Sequence, residues 1–238
     1  AGSLVEFLNE KLKETKNLKR NEFKVYLVEL NSHLLAEIND RKSSDIAAER
    51  FKNLGVEVLL NHQVINFEGI NVEIFAKESD TIINIQSGTF IWTAGIKPCE
   101  LIENLKVKKS DNGKILVDKY LTLPDYPEVY AIGDNAQVET QNLWTTAQTA
   151  VQQGELTANN LYAKTSLFRY SKPFKYFHQG TLITIGRNFG ISDVLGFKLT
   201  GYTGWFVWKF VHALKIMGTE NKINIFFDWV KVLVHRRY

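Results

Sequence analysis

Apolar residues near the start of the chain recur every fourth position, at Leu4, Leu8 and Leu12 with Val5 beside them. That period predicts a helix over residues 1–19. Phe23-Lys-Val-Tyr-Leu-Val-Glu-Leu30 predicts a strand ending at Glu29. A second helix is expected over Ser43–Leu54, with Asp45 as an early-turn acid and Gly55 as its stop. Val56–Leu60 is the next strand. From Val64 to Ile85 short alternating runs, broken at Gly69 and Asp80, predict β-hairpins. Thr89–Gly95 predicts a buried strand running into a glycine turn. Pro98 to Pro127 is loop-rich, with an edge strand at Gly113–Asp118 and a turn at Leu123–Pro127. Val129-Tyr-Ala-Ile-Gly-Asp134 predicts a buried strand that ends in a glycine and a carboxylate. A helix bearing amide side chains is expected over Thr146–Leu161, and Phe174–Arg187, which alternates and ends in Gly-Arg, predicts another hairpin.

Helix, strand, helix, strand and then antiparallel strands make an α/β pattern, that of the second half of a nucleotide-binding βαβ domain. Glu29 falls at the end of a parallel strand, where an acid can pair with both ribose hydroxyls of an adenine nucleotide. A carboxylate there repels a 2′-phosphate and so favours NAD over NADP. The strand ending at Gly133-Asp134, followed by a helix N-terminus, is where such proteins place the polyol and ring edge of a dinucleotide. Glycine permits close backbone approach, and the aspartate accepts hydrogen bonds from sugar hydroxyls. Gln148 and Gln152 are four apart, hence on one helix face.

After Gly201 the pattern changes. Trp205–Met217 is apolar except for Lys209, His212 and Lys215, and a break follows at Gly218 to Asn221. In the next segment Asn224, Asp228, Lys231 and His235 share one narrow helical stripe, so the apolar face is wider than a soluble helix needs. Lys209, Lys215, Lys222, Lys231, Arg236 and Arg237 outnumber Glu220 and Asp228. Basic charge, tryptophans and a wide apolar face suit an interfacial helix on a membrane lipid surface. A buried hairpin or a homodimer interface is the competing use of the same surface.

The 238 residues suffice for one or two compact units, and a net charge of +3 is too small to argue for nucleic acid. Cys99 is the only cysteine, which excludes an intrachain disulfide and gives no dithiol redox site. His33, His62, His178, His212 and His235 lack partners at ligand spacing, so no metal is expected. No run of eighteen apolar residues occurs, and a first residue set inside a helix without a cap reads as a fragment of something longer.

Taken together, these segments resemble the type II NADH dehydrogenases, single-subunit NADH:quinone oxidoreductases that do not pump protons. Val25-Tyr-Leu-Val-Glu29 resembles their ribose-binding strand, and Ile91-Trp-Thr-Ala-Gly-Ile96 their segment on the nicotinamide side. Tyr130-Ala-Ile-Gly-Asp134 is similar to the flavin-contacting motif, and Ala147-Gln-Thr-Ala-Val-Gln-Gln-Gly154 to the quinone-site signature. Gly204 through Trp229 resembles the membrane-anchoring helices. The amide-bearing helix combined with the amphipathic tail is the specific part; Gly-Asp after a strand is widespread among two-dinucleotide flavoproteins.

The resemblance implies a partial two-dinucleotide-binding (Rossmann-like) flavoprotein fold plus C-terminal amphipathic helices. It implies the second half of an NADH-binding domain over 1–90, the end of an FAD-binding domain with the quinone site over 91–190, and membrane anchors over 191–238. Gly133, Asp134, Ala147 and Gln148 would contact FAD; Glu29, Ala94 and Gly95 would contact NADH. Gln148 and Gln152 would bind quinone, and Trp205, Trp208, Phe226 and Trp229 would anchor the protein at the cytoplasmic face of the inner membrane. Both glycine-rich phosphate turns of the family would lie upstream of Ala1, so the FAD site is incomplete here and the fragment alone is expected to be inactive. Gln179, before Gly180, offers no charge to a quinone anion. The alternatives are another FAD-dependent reductase, of the sulfide:quinone or ferredoxin type, or a non-catalytic membrane-surface fragment.

Overall fold

A computed structural model describes residues 1–15, 23–38, 40–141, 143–166, 170–194, 196–216 and 218–235, with backbone only at 37, 226 and 230–235. Contacts divide the chain into two compact units, 1–90 with 180–238, and 91–179.

The first unit opens with helix α1 (Gly2–Glu14), shorter than the expected 1–19 span, whose end falls partly outside the described residues. Its Leu4, Leu8 and Leu12 are half-buried and Val5 is fully buried. The helix is fastened to the loop at Gly186: Glu6 accepts from the Arg187 backbone N–H and pairs with Arg50 at 3.0 Å. Strands β1 (Val25–Val28) and β2 (Val56–Leu59) pair in parallel, Val25 opposite Val56, with helix α2 (Arg41–Asn53) between them in sequence. Gly55, at φ +74°, ends α2 in the left-handed conformation that a β-carbon disfavours. Strands β3 (His62–Glu68), β4 (Asn71–Ala76) and β5 (Thr81–Gln86) form the expected antiparallel meander. Val72, Ile74 and Ala76 bury one face of β4 at the period of two that a one-sided sheet demands.

In the same unit β10 (Thr181–Thr184), β11 (Gly190–Val194) and β12 (Phe197–Thr200) form a second antiparallel sheet covered by helix α5 (Gly201–Lys215). Leu34, Ala47, Ile185 and Ile191 join this sheet and α2 in one core. Gly190 and Gly204 allow α5 to touch the sheet backbone: a β-carbon on Gly204 would lie 2.6 Å from the Gly190 carbonyl oxygen. Ser192 Oγ donates to the Gly204 carbonyl at 2.7 Å. Helix α6 (Thr219–His235) follows the expected break at Gly218.

The second unit holds helix α3 (Glu100–Asn104), the parallel pair β6 (Ile115–Val117) and β9 (Ala136–Val138), the hairpin β7 (Thr122–Leu123) and β8 (Tyr126–Tyr130), and helix α4 (Ala147–Lys164). Its core gathers Ile102, Val117, Leu121, Val138 and Phe174.

Three expectations are corrected. Thr89–Gly95 forms no strand and is exposed, with Trp92 at 63% accessibility, because no strand among the described residues pairs with it. Val129–Asp134 is not a buried strand: β8 stops at Tyr130, and Val129 is 44% exposed. The short β7 is its sole partner among the described residues, so one edge and most side chains of β8 stay in the open. The hairpin expected over Phe174–Arg187 is instead β10–β11, turning through Gly186 and Asn188, both at positive φ. Residues 174–179 are irregular: Phe177 and the Gln179 N–H bond to side-chain amides of α4, and Phe174 to Lys119 and Gln141, in place of a strand.

Candidate functional site

Gly133, at φ +65°, opens a single 3-10 turn through Asn135, and its N–H donates to Gln153 Oε1 at 2.6 Å. A β-carbon at Gly133 would come to 3.3 Å from the Ala150 β-carbon, so the turn sits directly against the first turns of α4. Thr146 caps that helix, its Oγ1 accepting from the Thr149 N–H at 3.2 Å. Thr149 Oγ1 donates in turn to the Trp144 carbonyl at 3.0 Å. The remaining first-turn N–H groups give the helix start a positive end. Asp134 is exposed and lines a narrow cleft with Lys114, Thr145, Thr146, Thr149 and Gln153. Lys114 is itself buried and donates to Thr145 Oγ1. Ala147 is exposed at the first position of the helix.

Gln148 turns to a different face of α4. With Gln152, one turn on, it grips residues 176–179. The Gln152 amide exchanges two hydrogen bonds with the Phe177 backbone, at 2.8 and 2.9 Å. Gln148 Oε1 accepts from the Gln179 N–H at 3.2 Å and from the Tyr176 hydroxyl at 3.4 Å. Asn160 makes the same two-way bridge to Lys172 further along the helix, at 2.9 and 2.8 Å. A primary amide presents one donor and one acceptor, as a peptide group does, so the helix stands in for a neighbouring strand. Half-buried Tyr176 is held protonated: burial pushes its phenol above its ordinary value, and a hydrogen bond to Thr146 partly offsets that. His178 Nδ1 lies 3.2 Å from the same hydroxyl.

Gly133, Asp134 and Ala147 are therefore gathered at the start of α4, while Gln148 and Gln152 gather around Tyr176. Gln153 is the missing piece in the sequence reading. It is 2% exposed and shares a buried polar stripe with Thr149, Thr157 and Asn160. Its spacing of four from Thr149 and Thr157 was the available signal.

Glu29, in the first unit, stands just past the end of β1, its carboxylate accepting from the Asn31 N–H at 2.9 Å and the Asn31 side chain at 2.8 Å. Ala94 and Gly95, in the second unit, lie in the exposed 91–97 segment, where Gly95 takes φ +81° and Trp92 Nε1 donates to the Ala94 carbonyl at 2.6 Å.

On α5, Tyr202, Phe206, Phe210 and Leu214 recur at i, i+4 spacing, each more than half exposed. Ile223 and Phe227 are exposed on α6. Trp205 and Trp229 are half-buried and flank Lys209, whose ammonium sits 4.1 and 5.0 Å from their ring centres. Trp208 stacks on His212 at 4.2 Å. The Phe226 side chain lies outside the described residues. No helix among the described residues is long and apolar enough to cross a membrane. Among them, no group of three or more His, Cys, Asp or Glu side chains is placed to hold a metal.

Residues 10–154 match the pyridine nucleotide-disulphide oxidoreductases, and residues 178–238 match the NDH2 C-terminal domain. The chain thus belongs to the pyridine nucleotide-disulphide oxidoreductase family. A probable NADH dehydrogenase of Dictyostelium discoideum is 30% identical over 91% of this chain and 47% of its own length. The type II NADH:quinone oxidoreductase Ndh of Mycobacterium tuberculosis is 26% identical over the whole chain and 52% of its own length. The chain therefore spans about half the length of these curated relatives. Among solved structures, NDH2 of Plasmodium falciparum in complex with NADH superposes with a TM-score of 0.87 at 19% identity, covering 97% of this chain and 62% of that one. The mixed α/β fold with C-terminal helices is shared with it.

Proposed function

We propose that the protein to which this chain belongs is a FAD-dependent NADH:quinone oxidoreductase working at a membrane surface. The match of residues 178–238 to the NDH2 C-terminal domain, next to the Gly133–Asp134 turn against the start of α4, carries this reading.

The residues present suit the flavin end of such a cofactor. A close-approach glycine, an exposed carboxylate and threonine hydroxyls line one cleft, a donor and acceptor set that fits a ribityl chain. Bound there, FAD would supply the hydride acceptance and electron-pair transfer that link NADH to quinone. Asp134 accepts hydrogen bonds from the sugar alcohols. The Ala147 and Gln148 N–H groups would hold the flavin's pyrimidine edge, and the positive end of α4 would favour negative charge there. Glu29 accepts from the adenine ribose of NADH and disfavours a 2′-phosphate. Gly95 lets the chain approach the nicotinamide without a side chain. Gln148 and Gln152 border the quinone, and α5 with α6 rests on the lipid, Phe206, Phe210 and Phe227 entering the headgroup layer. The protein binds peripherally, on the face supplied with NADH, the cytoplasmic side of the inner membrane.

The deciding experiment uses the purified full-length protein. Oxidised flavin absorbance should be present, NADH should bleach it, and a short-chain quinone should restore it. A colourless protein, or reduced flavin that quinone leaves unoxidised, would overturn the reading.

A further inference from the structure

Reduction of a quinone to a hydroquinone takes two electrons and two protons. NADH supplies the electron pair and one proton as hydride, so the second proton comes from water. A quinone buried against α4 therefore needs a donor that reaches both it and solvent.

We propose that Tyr176 and His178 form the proton relay of the quinone site, with Gln148 aiming the Tyr176 hydroxyl. This rests on the placement of quinone beside Gln148 in the reading above.

Three linked contacts, two at Gln148 Oε1 and one between the Tyr176 hydroxyl and His178, set the direction of transfer. The Gln179 backbone N–H bonds to Gln148 Oε1 at 3.2 Å, which fixes that atom as the amide oxygen. An amide oxygen only accepts, so the Tyr176 hydroxyl, 3.4 Å away, points its single hydrogen at it. With that hydrogen used, the 3.2 Å contact between the hydroxyl and His178 Nδ1 requires Nδ1 to carry a proton and donate it. The exposed imidazole exchanges protons with water at Nε2. The half-buried phenol is less open to solvent, and burial favours its protonated form.

The step balances. As the electron pair reaches the quinone, the Tyr176 hydroxyl turns its hydrogen from Gln148 Oε1 to the quinone carbonyl oxygen, an O–H bond forms there and the Tyr176 O–H bond breaks. The Tyr176 oxygen takes the proton from His178 Nδ1, and His178 recovers one from solvent. The other hydroxyl proton derives from the hydride. This chain has an amide, Gln179, beside Gly180. A relay through Tyr176 lets His178, two hydrogen bonds removed, serve a site whose adjacent amide side chain has no proton to give.

The test compares two electron acceptors in the flavin-loaded, full-length protein. Ferricyanide accepts electrons without protons; a water-soluble short-chain benzoquinone needs both. Tyr176→Phe should slow quinone reduction roughly a hundredfold to ten-thousandfold, the range of general acid catalysis, and leave ferricyanide reduction at the wild-type rate. His178→Ala should show the same split, with added imidazole restoring quinone turnover. His178→Ala also leaves the α4 amide bridges intact, which keeps the test open if Tyr176→Phe folds poorly. Equal loss with both acceptors, wild-type quinone rates in either variant, or no rescue by imidazole would each overturn the relay. A wild-type protein that reduces ferricyanide but no quinone would instead overturn the quinone reading beneath it.

Discussion

Replacing Gln153 with leucine removes a buried acceptor at nearly constant volume. The Gln153 side chain is 2% exposed, and its Oε1 takes the Gly133 N–H at 2.6 Å. An unpaired buried donor costs about 1–3 kcal/mol. Gly133 is half-buried, which places the expected loss near the middle, about 2 kcal/mol. The loss lands on the turn that presents Asp134, so it falls on the cofactor as well. If the turn must be re-ordered for binding, about 2 kcal/mol lowers flavin affinity roughly thirtyfold. Urea denaturation of the full-length protein with and without added FAD reads both terms, and flavin retention through desalting reads the second alone. A Gln153→Leu protein with unchanged midpoint and full flavin content would show that the buried amide neither supports the turn nor matters to the cofactor.

Gly133→Ala forces a left-handed backbone on a residue with a β-carbon and pushes it to 3.3 Å from Ala150, so a loss of about 1–2 kcal/mol in denaturation is expected, with flavin content reduced. Glu6→Ala leaves the part-buried Arg50 without its carboxylate and should cost about 1–2 kcal/mol in urea melts, while Glu14→Ala on the exposed end of the same helix should change little. Asp40 is held below its ordinary value by hydrogen bonds from Lys198 and then Ser43. A lowered carboxyl stabilises the fold above its unfolded value and loses that contribution as pH falls through the folded one. Lys198→Met should accordingly flatten the decline in stability below about pH 4, and an unchanged acid limb would refute the linkage. Phe206→Ser with Phe210→Ser removes two exposed rings of α5 and should lower liposome co-sedimentation by at least tenfold without altering the melt; unchanged lipid binding would remove α5 from the membrane contact.

How much was legible depended on whether a segment's partner lay near it in sequence. Helix α2 was readable because its apolar rows and Gly55 are local signals, and β3–β5 because hairpin partners adjoin. The two helices after Gly201 were marked by their composition and by Gly218. Thr89–Gly95 and Val129–Asp134 misled because an apolar run says that a segment needs cover and not that cover is present. The stretch 174–179 misled for a different reason: its hydrogen-bond partners are side chains of a helix, which strand periodicity does not encode. At the site, Gly133 and Asp134 were visible as a motif. Gln153 was hidden beside two more familiar glutamines, and its role came from depth of burial. Tyr176 and His178 are ordinary members of an aromatic run until three dimensions bring them to Gln148.

The bare contact between Gly204 and Gly190 carries a mechanical consequence. With no side chain between them, helix and sheet have nothing compressible to slide on, so α5 cannot rock over β10–β12 as a helix bedded on leucines could. On the membrane-bound reading proposed above, its outer aromatic row acts as a keel: whatever angle lipid imposed on that row would be the angle at which the sheet beneath it rides.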